Sequence, residues 1–219
     1  MPTATCPLLT GIQGIHRVIT RALSVLVEES KRLGERDSVD KKTTEGFRLY
    51  AHTFCDLLHA HHDGEEEIGF PRLGASLSDG TVAMLARQHQ DMLGAHHAIQ
   101  TFVAAPLPWP RGTWRGVHRA ASSLVPGWIA HRDEEEKLIA VASKVLSKAE
   151  KAALAKDLEQ HGMERAGPGP LVVPFIIYNL EGKDRAEMCT LFPFIVKSIL
   201  VPYVWRGTYK PMLPFLFPR

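Results

Sequence analysis

Cysteine is scarce in this chain, and what there is does not pair. Cys6, Cys55 and Cys189 are odd in number, widely spaced and without a CxxC. That excludes a disulfide framework or a zinc ribbon and points to reduced thiols in a reducing compartment. An excess of one charge is also missing. Twenty-six Lys and Arg face 24 Asp and Glu, the net charge is +2 with a pI near 8.4, and the basic residues are scattered. Nothing resembles a nucleic-acid footprint or a polybasic membrane patch. Long apolar runs are absent: the longest charge-free stretch of the C-terminal part, residues 166–180, is 15 residues broken by three prolines. A membrane span needs roughly 20 apolar residues, so no transmembrane segment is expected. The start, MPTATCPLL, lacks a basic region followed by an apolar one; with no signal peptide expected, a cytoplasmic location follows. No Ser-His-Asp set, phosphate loop or solenoid repeat is present. What the chain does have is histidine, 11 in all, and their placement carries the reading.

Helical periodicity runs through four long segments. The first covers about 8–33 and ends at Gly34 and the polar GERDSVDKK. The second covers about 44–70, where Pro71 is expected to stop it because proline lacks the next amide. The third follows the N-cap residues Ser78 and Asp79 and reaches about 103. The loop APLPWPRG, with three prolines in five positions, separates it from the fourth, about 113–146; a shorter helix covers about 148–161. Short connections between long amphipathic helices predict an all-α, antiparallel up-down four-helix bundle. Residues 1–146 form this bundle in the reading, and 147–219 a helical extension. From residue 167 the extension is rich in aromatics and holds 8 of the 15 prolines, so short kinked helices (about 184–205) are expected, packed on the bundle or on a second subunit. It is the candidate homodimer surface.

Residues at alternating three- and four-residue spacing mark the core face of each helix. The first stripe is Leu9, Ile12, His16, Ile19, Leu23, Leu26; the second Phe47, Tyr50, Phe54, Leu57, His61, Glu65, Ile68. The third is Val82, Leu85, His89, Met92, His96, Ile99, Val103; the fourth Val117, Ala121, Leu124, Trp128, His131, Glu135, Leu138, Ala142. Each stripe carries histidine, and two add Glu at i+4. A lone histidine on an apolar face is most often a satisfied core residue; four such faces are not. A buried carboxylate needs a partner, because desolvation costs several kcal/mol or more. A residue and its i+4 neighbour lie one above the other on a helix and can reach one centre. Two such pairs and two single histidines make six ligands, His16, His61, Glu65, His89, His131 and Glu135. That set suits two metal ions bridged by two carboxylates. On the same register His59, His62, Glu66 and Glu67 turn away, as do Glu134 and Glu136, although one of these glutamates could orient a ligand imidazole.

The order of these motifs, a single core histidine, HHDGEEEIGFP, a histidine, then HRDEEE, resembles the hemerythrin-like (HHE cation-binding) proteins. The resemblance covers about residues 8–142 and implies a four-helix bundle holding a non-haem di-iron centre with an oxo or hydroxo bridge. It implies the same six ligands. Ligand type alone also suits manganese or zinc. Two departures matter. Oxygen-carrying hemerythrins have a fifth histidine where this chain has Leu93, and their last pair is His-x4-Asp rather than His-x3-Glu. Four histidines and two glutamates look more like the bacterial iron-centre-repair proteins. The di-iron carboxylate bundles, with Glu-x-x-His pairs and extra single glutamates, fit less well.

The implied function is binding of, and reaction with, dioxygen, peroxide or nitric oxide. If the chain is an enzyme it is a di-iron oxidoreductase: an oxidase or oxygenase, catalase-like, or detoxifying nitric oxide, with an organic substrate or electron donor as further partner. The alternative is a non-catalytic module that binds, stores or senses dioxygen, nitric oxide or iron. Around the centre, His96 lies two turns from His89, about 10 Å along the helix, and reads as a core or supporting histidine. Trp128 is core or a wall of the metal pocket. Gly64, within the second helix, serves either close helix packing or room for an exogenous ligand.

Overall fold

The structure is a computed structural model that describes residues 7–74 and 80–217; Cys6, the Ser78–Asp79 cap and the side chain of Leu9 lie outside the described part. Every regular element in it is helical. Helices α1 (Pro7–Gly34) and α2 (Lys41–Gly64) lead through a π-helical turn (Glu65–Gly69) into the short α3 (Phe70–Gly74). Then come α4 (Gly80–Val103), the long α5 (Arg111–Val145) and α6 (Lys148–Arg165). Side chains set several starts by taking up amides that a helix end leaves unpaired. Asp40 accepts from the Thr43 amide at 2.9 Å, and Ser147 and Glu150 form a reciprocal capping box at α6.

Pro71 does not end the second segment as its chemistry predicts; the chain stays helical to Gly74. The π turn explains this. The Phe70 amide reaches back to the Glu65 carbonyl, so Pro71 falls in the first turn of a new α-helical stretch, where a missing amide costs little.

α1 packs on α2 and α5, and α4 packs on the same two helices. Their apolar residues form two separate clusters. The larger includes Ile19, Leu23, Phe47, Phe54, Met92, Leu124 and Trp128. The smaller is Leu8, Phe70, Leu73, Leu85, Leu138, Ala142 and Leu154. The core histidines and glutamates lie between them. Along α1 and α4 the order is small cluster, polar residues, large cluster; along α2 and α5 it is reversed.

The extension folds back onto the bundle. It comprises α7 (Gly169–Tyr178), α8 (Gly182–Cys189), a π-helical stretch (Val196–Val204), α9 (Arg206–Tyr209), a 3-10 turn (Lys210–Met212) and α10 (Leu213–Leu216). Phe175 packs on Tyr50 with ring centroids 4.9 Å apart, and Phe215 on Phe47 at 5.4 Å. Asn179 is buried and accepts from the Tyr50 hydroxyl at 2.7 Å and the Arg21 guanidinium at 2.9 Å. Gly46 permits the contact: a Cβ there would stand 2.2 Å from the Pro211 carbonyl oxygen. Phe194, Ile195, Ile199, Tyr203 and Val204 stay exposed. Among the described residues no helix is long and apolar enough to cross a membrane.

Candidate metal centre

The centre is built from one or two turns of each long helix. The structure brings together all six residues that the stripes single out. His16 Nε2 lies 2.7 Å from Glu135 Oε2, and His61 Nε2 lies 2.8 Å from Glu65 Oε1. The other Glu65 oxygen, Oε2, is 3.0 Å from His89 Nε2 and 3.3 Å from His131 Nε2. Glu135 Oε2 is 3.8 Å from His131 Nε2, so both carboxylates stand between imidazoles of different helices.

Close approach here is not ordinary hydrogen bonding. His16 Nε2, His61 Nε2, both Glu65 oxygens and Glu135 Oε2 are buried and have no hydrogen-bond partner; His62 Nε2 and His131 Nδ1 are in the same condition. Buried polar atoms are almost always satisfied, and each orphan costs roughly 1–3 kcal/mol. Six of these orphans, all but His131 Nδ1, gather in one layer between two apolar clusters and fit a cation partner. The spacings agree: two donors each about 2.1 Å from one ion at a right angle stand about 3 Å apart. Two groups of donors meet this test, His16, His61, Glu65 and Glu135 in one and His62, His89 and His131 in the other, with the atoms of each within 4.8 Å of one another.

Charge is arranged to match. Burial works to lower the His16 pKa, but Glu135, then Glu136 and Glu65, push it up to about 9. Burial works to raise Glu65, yet His61, His131 and His89 hold it well below the usual carboxylate range. The layer demands positive charge. Burial and the neighbouring imidazoles push His62 well below the usual histidine range, which keeps it neutral.

Two glutamates outside the stripes orient the histidines. His89 Nδ1 donates to Glu66 Oε1 at 2.8 Å, and His16 Nδ1 donates to Glu136 Oε1 at 3.0 Å. A carboxylate only accepts, so each bond fixes a tautomer that turns the Nε2 lone pair toward the centre. The off-stripe glutamates are expected at the surface, with one able to orient a ligand imidazole; two of them, Glu66 and Glu136, make such bonds while staying partly exposed.

His62 is the larger correction. The register turned it away from the core, yet it is buried and stacked on His89, with ring centroids 3.9 Å apart and planes 17° apart. A stripe drawn one residue wide excludes a neighbour 100° around the helix; the His-His doublet was the signal for a wider face. The remaining candidates surround the centre. Trp128 packs edge-on against His16 at 5.5 Å and His61 at 5.8 Å, and its indole donates to Thr20 Oγ1 at 2.9 Å. His96 donates to the Cys55 carbonyl at 3.1 Å, remote from the donor groups. His96 and Leu93 instead line a crevice of about 190 Å³ between α2 and α4 that reaches His62 and His89. At Gly64 a Cβ would come within 3.3 Å of His161 Cδ2, which favours close packing over space for a ligand.

The family model described as the hemerythrin HHE cation binding domain matches residues 9–142, more than half of the chain. No curated protein and no solved structure matches.

Proposed function

The chain belongs to the hemerythrin HHE cation-binding family, and on that premise we propose that it is a non-haem di-iron protein which binds and reacts with dioxygen, peroxide or nitric oxide. The observation that carries this reading is the layer of orphaned donors with two carboxylates between two imidazole groups. His16, His61, Glu65, His89, His131 and Glu135 would hold the irons. The alternation of cluster order along α1, α2, α4 and α5 supports an antiparallel up-down four-helix arrangement, as does the cyclic packing of neighbours. Iron bound here would supply one-electron chemistry and coordination positions for small ligands.

The protein's own part is positioning. Glu66 and Glu136 hold His89 and His16 in the donor tautomer, and Trp128 walls the layer on the side of the large cluster. The smaller apolar cluster closes the opposite side against water. The test begins with iron content and the near-ultraviolet charge-transfer band of protein made in iron-replete medium, expected at about two irons per chain. Bound metal absent under those conditions would defeat the reading. Stopped-flow mixing of the reduced protein with dioxygen, peroxide and nitric oxide then decides its second half. Repeated turnover supports an oxidoreductase; a single reversible spectral change supports uptake or sensing without turnover.

A further inference from the structure

We propose that the C-terminal extension carries a membrane-docking face: Phe194, Ile195, Ile199, Tyr203 and Val204 insert into an anionic lipid surface, with Arg206 and Lys210 at the headgroups. None of these residues belongs to the metal layer. The five apolar side chains are 44–77% exposed. Monomers seldom leave so many large apolar groups exposed together without a use for them. In the π-helical stretch Val196–Val204, bonding from i to i+5 gives more than four residues per turn. Ile195, Ile199 and Tyr203 therefore fall on one face, with Phe194 and Val204 beside them. The opposite side is fastened to the protein. Val201 is buried, the Tyr209 hydroxyl donates to its carbonyl at 3.0 Å, and Lys197 Nζ donates to the Cys189 carbonyl at 2.8 Å. The fold holds the apolar face outward.

Charge selects the occupant. From Cys189 to Phe217 the chain has no acidic residue; its charged groups there, Lys197, Arg206 and Lys210, are all basic, and the last two are exposed. The nearest carboxylates before them, Asp184 and Glu187, pair with Arg17 and Lys183, each at 3.5 Å. A symmetric dimer would set this patch against itself and bring like charges together, with no carboxylate of the segment to meet them. An anionic lipid surface complements it. Apolar side chains enter the acyl boundary, Tyr203 and the half-buried Trp205 suit the interface, and Arg206 follows directly for the headgroups. At nine residues the π-helical stretch is too short to cross a bilayer and lies on it. The basic groups are few, so apolar insertion carries the affinity and charge sets the preference among lipids.

The experiment sediments the full chain with vesicles of phosphatidylcholine alone and of phosphatidylcholine containing about a quarter phosphatidylglycerol. Wild type should bind the mixed vesicles, and the neutral ones at least about fivefold more weakly. Its tryptophan emission should shift to the blue on binding; Trp109, Trp114 and Trp128 are already buried, so the shift reports Trp205. Arg206→Glu with Lys210→Glu should erase the preference for anionic vesicles. Phe194→Ser with Tyr203→Ser should lower binding to both kinds by at least about tenfold, with helicity and metal content unchanged. Val145→Ser, which removes an exposed apolar group of α5, should bind like wild type. Wild type that stays with neither kind of vesicle, or the Phe194→Ser, Tyr203→Ser variant binding like wild type, would overturn the proposal. So would a two-chain mass in sedimentation equilibrium that Ile199→Asp returns to one chain, with no vesicle binding: the face would then belong to a second copy.

Discussion

HHDGEE at residues 61–66 and HRDEEE at 131–136 are nearly the same hexapeptide, and comparing them separates what the motif dictates from what its setting adds. In both, the first and fifth residues face the centre, and the sixth reaches a histidine of a different helix: Glu66 holds His89 and Glu136 holds His16. The backbones differ. α5 remains α-helical throughout, whereas α2 passes into the π turn at Glu65. With that change Glu65 presents both oxygens to imidazoles, at 2.8, 3.0 and 3.3 Å. Glu135 presents one, at 2.7 and 3.8 Å. The second residue differs too. His62 points inward, while Arg132 lies outside and donates to Asp133 at 2.6 Å. One motif thus yields two unequal halves; π turns are frequent at functional sites, and this one carries the richer half.

The inequality can be broken or sharpened experimentally. The largest effect is expected at the shared carboxylates. Glu65→Ala should abolish binding of both irons, and Glu135→Ala should retain a measurable fraction, read as iron per chain and charge-transfer absorbance. Equal losses would mean that the π turn adds nothing. Next come the orienting glutamates. Glu66→Gln and Glu136→Gln should each lower iron affinity by about 10–100-fold in chelator competition while the fold stays intact by circular dichroism. An unchanged affinity for either would reduce its hydrogen bond to a surface contact.

A smaller effect is expected at the fourth position, Gly64 against the exposed-side Glu134, which pairs with Lys137 at 2.7 Å. Gly64→Ala gains up to about 1 kcal/mol of helix propensity but crowds His161. The two should nearly cancel, leaving thermal stability within about 1 kcal/mol of wild type and iron content unchanged. A faster or slower reaction with nitric oxide at unchanged stability would instead restore the reading of Gly64 as room for a ligand. Smallest of all is Arg132→Ala, whose bonds go to the exposed Asp133 and, at 3.3 Å, to the Thr20 hydroxyl; iron content should not move. Stability should shift by no more than about 0.5 kcal/mol, measured by urea denaturation.

Much of this was legible in the residues. The stripes alone bring His16, His61, Glu65, His89, His131 and Glu135 together, because burial forces apolar periodicity to show wherever a polar residue interrupts it. Helix ends were legible where the residues that set them were read, as at Gly34 for α1, and the start of α6 at Lys148. Two things were not. Pro71 argues for a stop, and only the π register, set by how α2 meets its neighbours, moves the proline to a harmless place. His62 has an angle on the helical wheel that is core or surface depending on how closely α4 approaches, and no single helix carries that distance. The tail is a third case: its prolines foretold short pieces, but its seat on Phe47 and Tyr50 depends on Gly46, whose purpose emerges only when the Pro211 carbonyl lies against it.

The polar layer also has a meaning for how the molecule comes apart. It divides the apolar interior into a large body and a small one built from Phe70, Leu73, Leu85, Leu138 and Leu154 with their neighbours. Across that divide stand six buried donor atoms without a hydrogen-bond partner. Without a cation the small body is a unit poised to open locally, ahead of global unfolding. With one, opening it means giving up coordination as well as apolar contact, and the affinity for metal adds directly to the protection of that end. A bound metal would then act as a rivet: two cores that could melt separately would be made to melt as one.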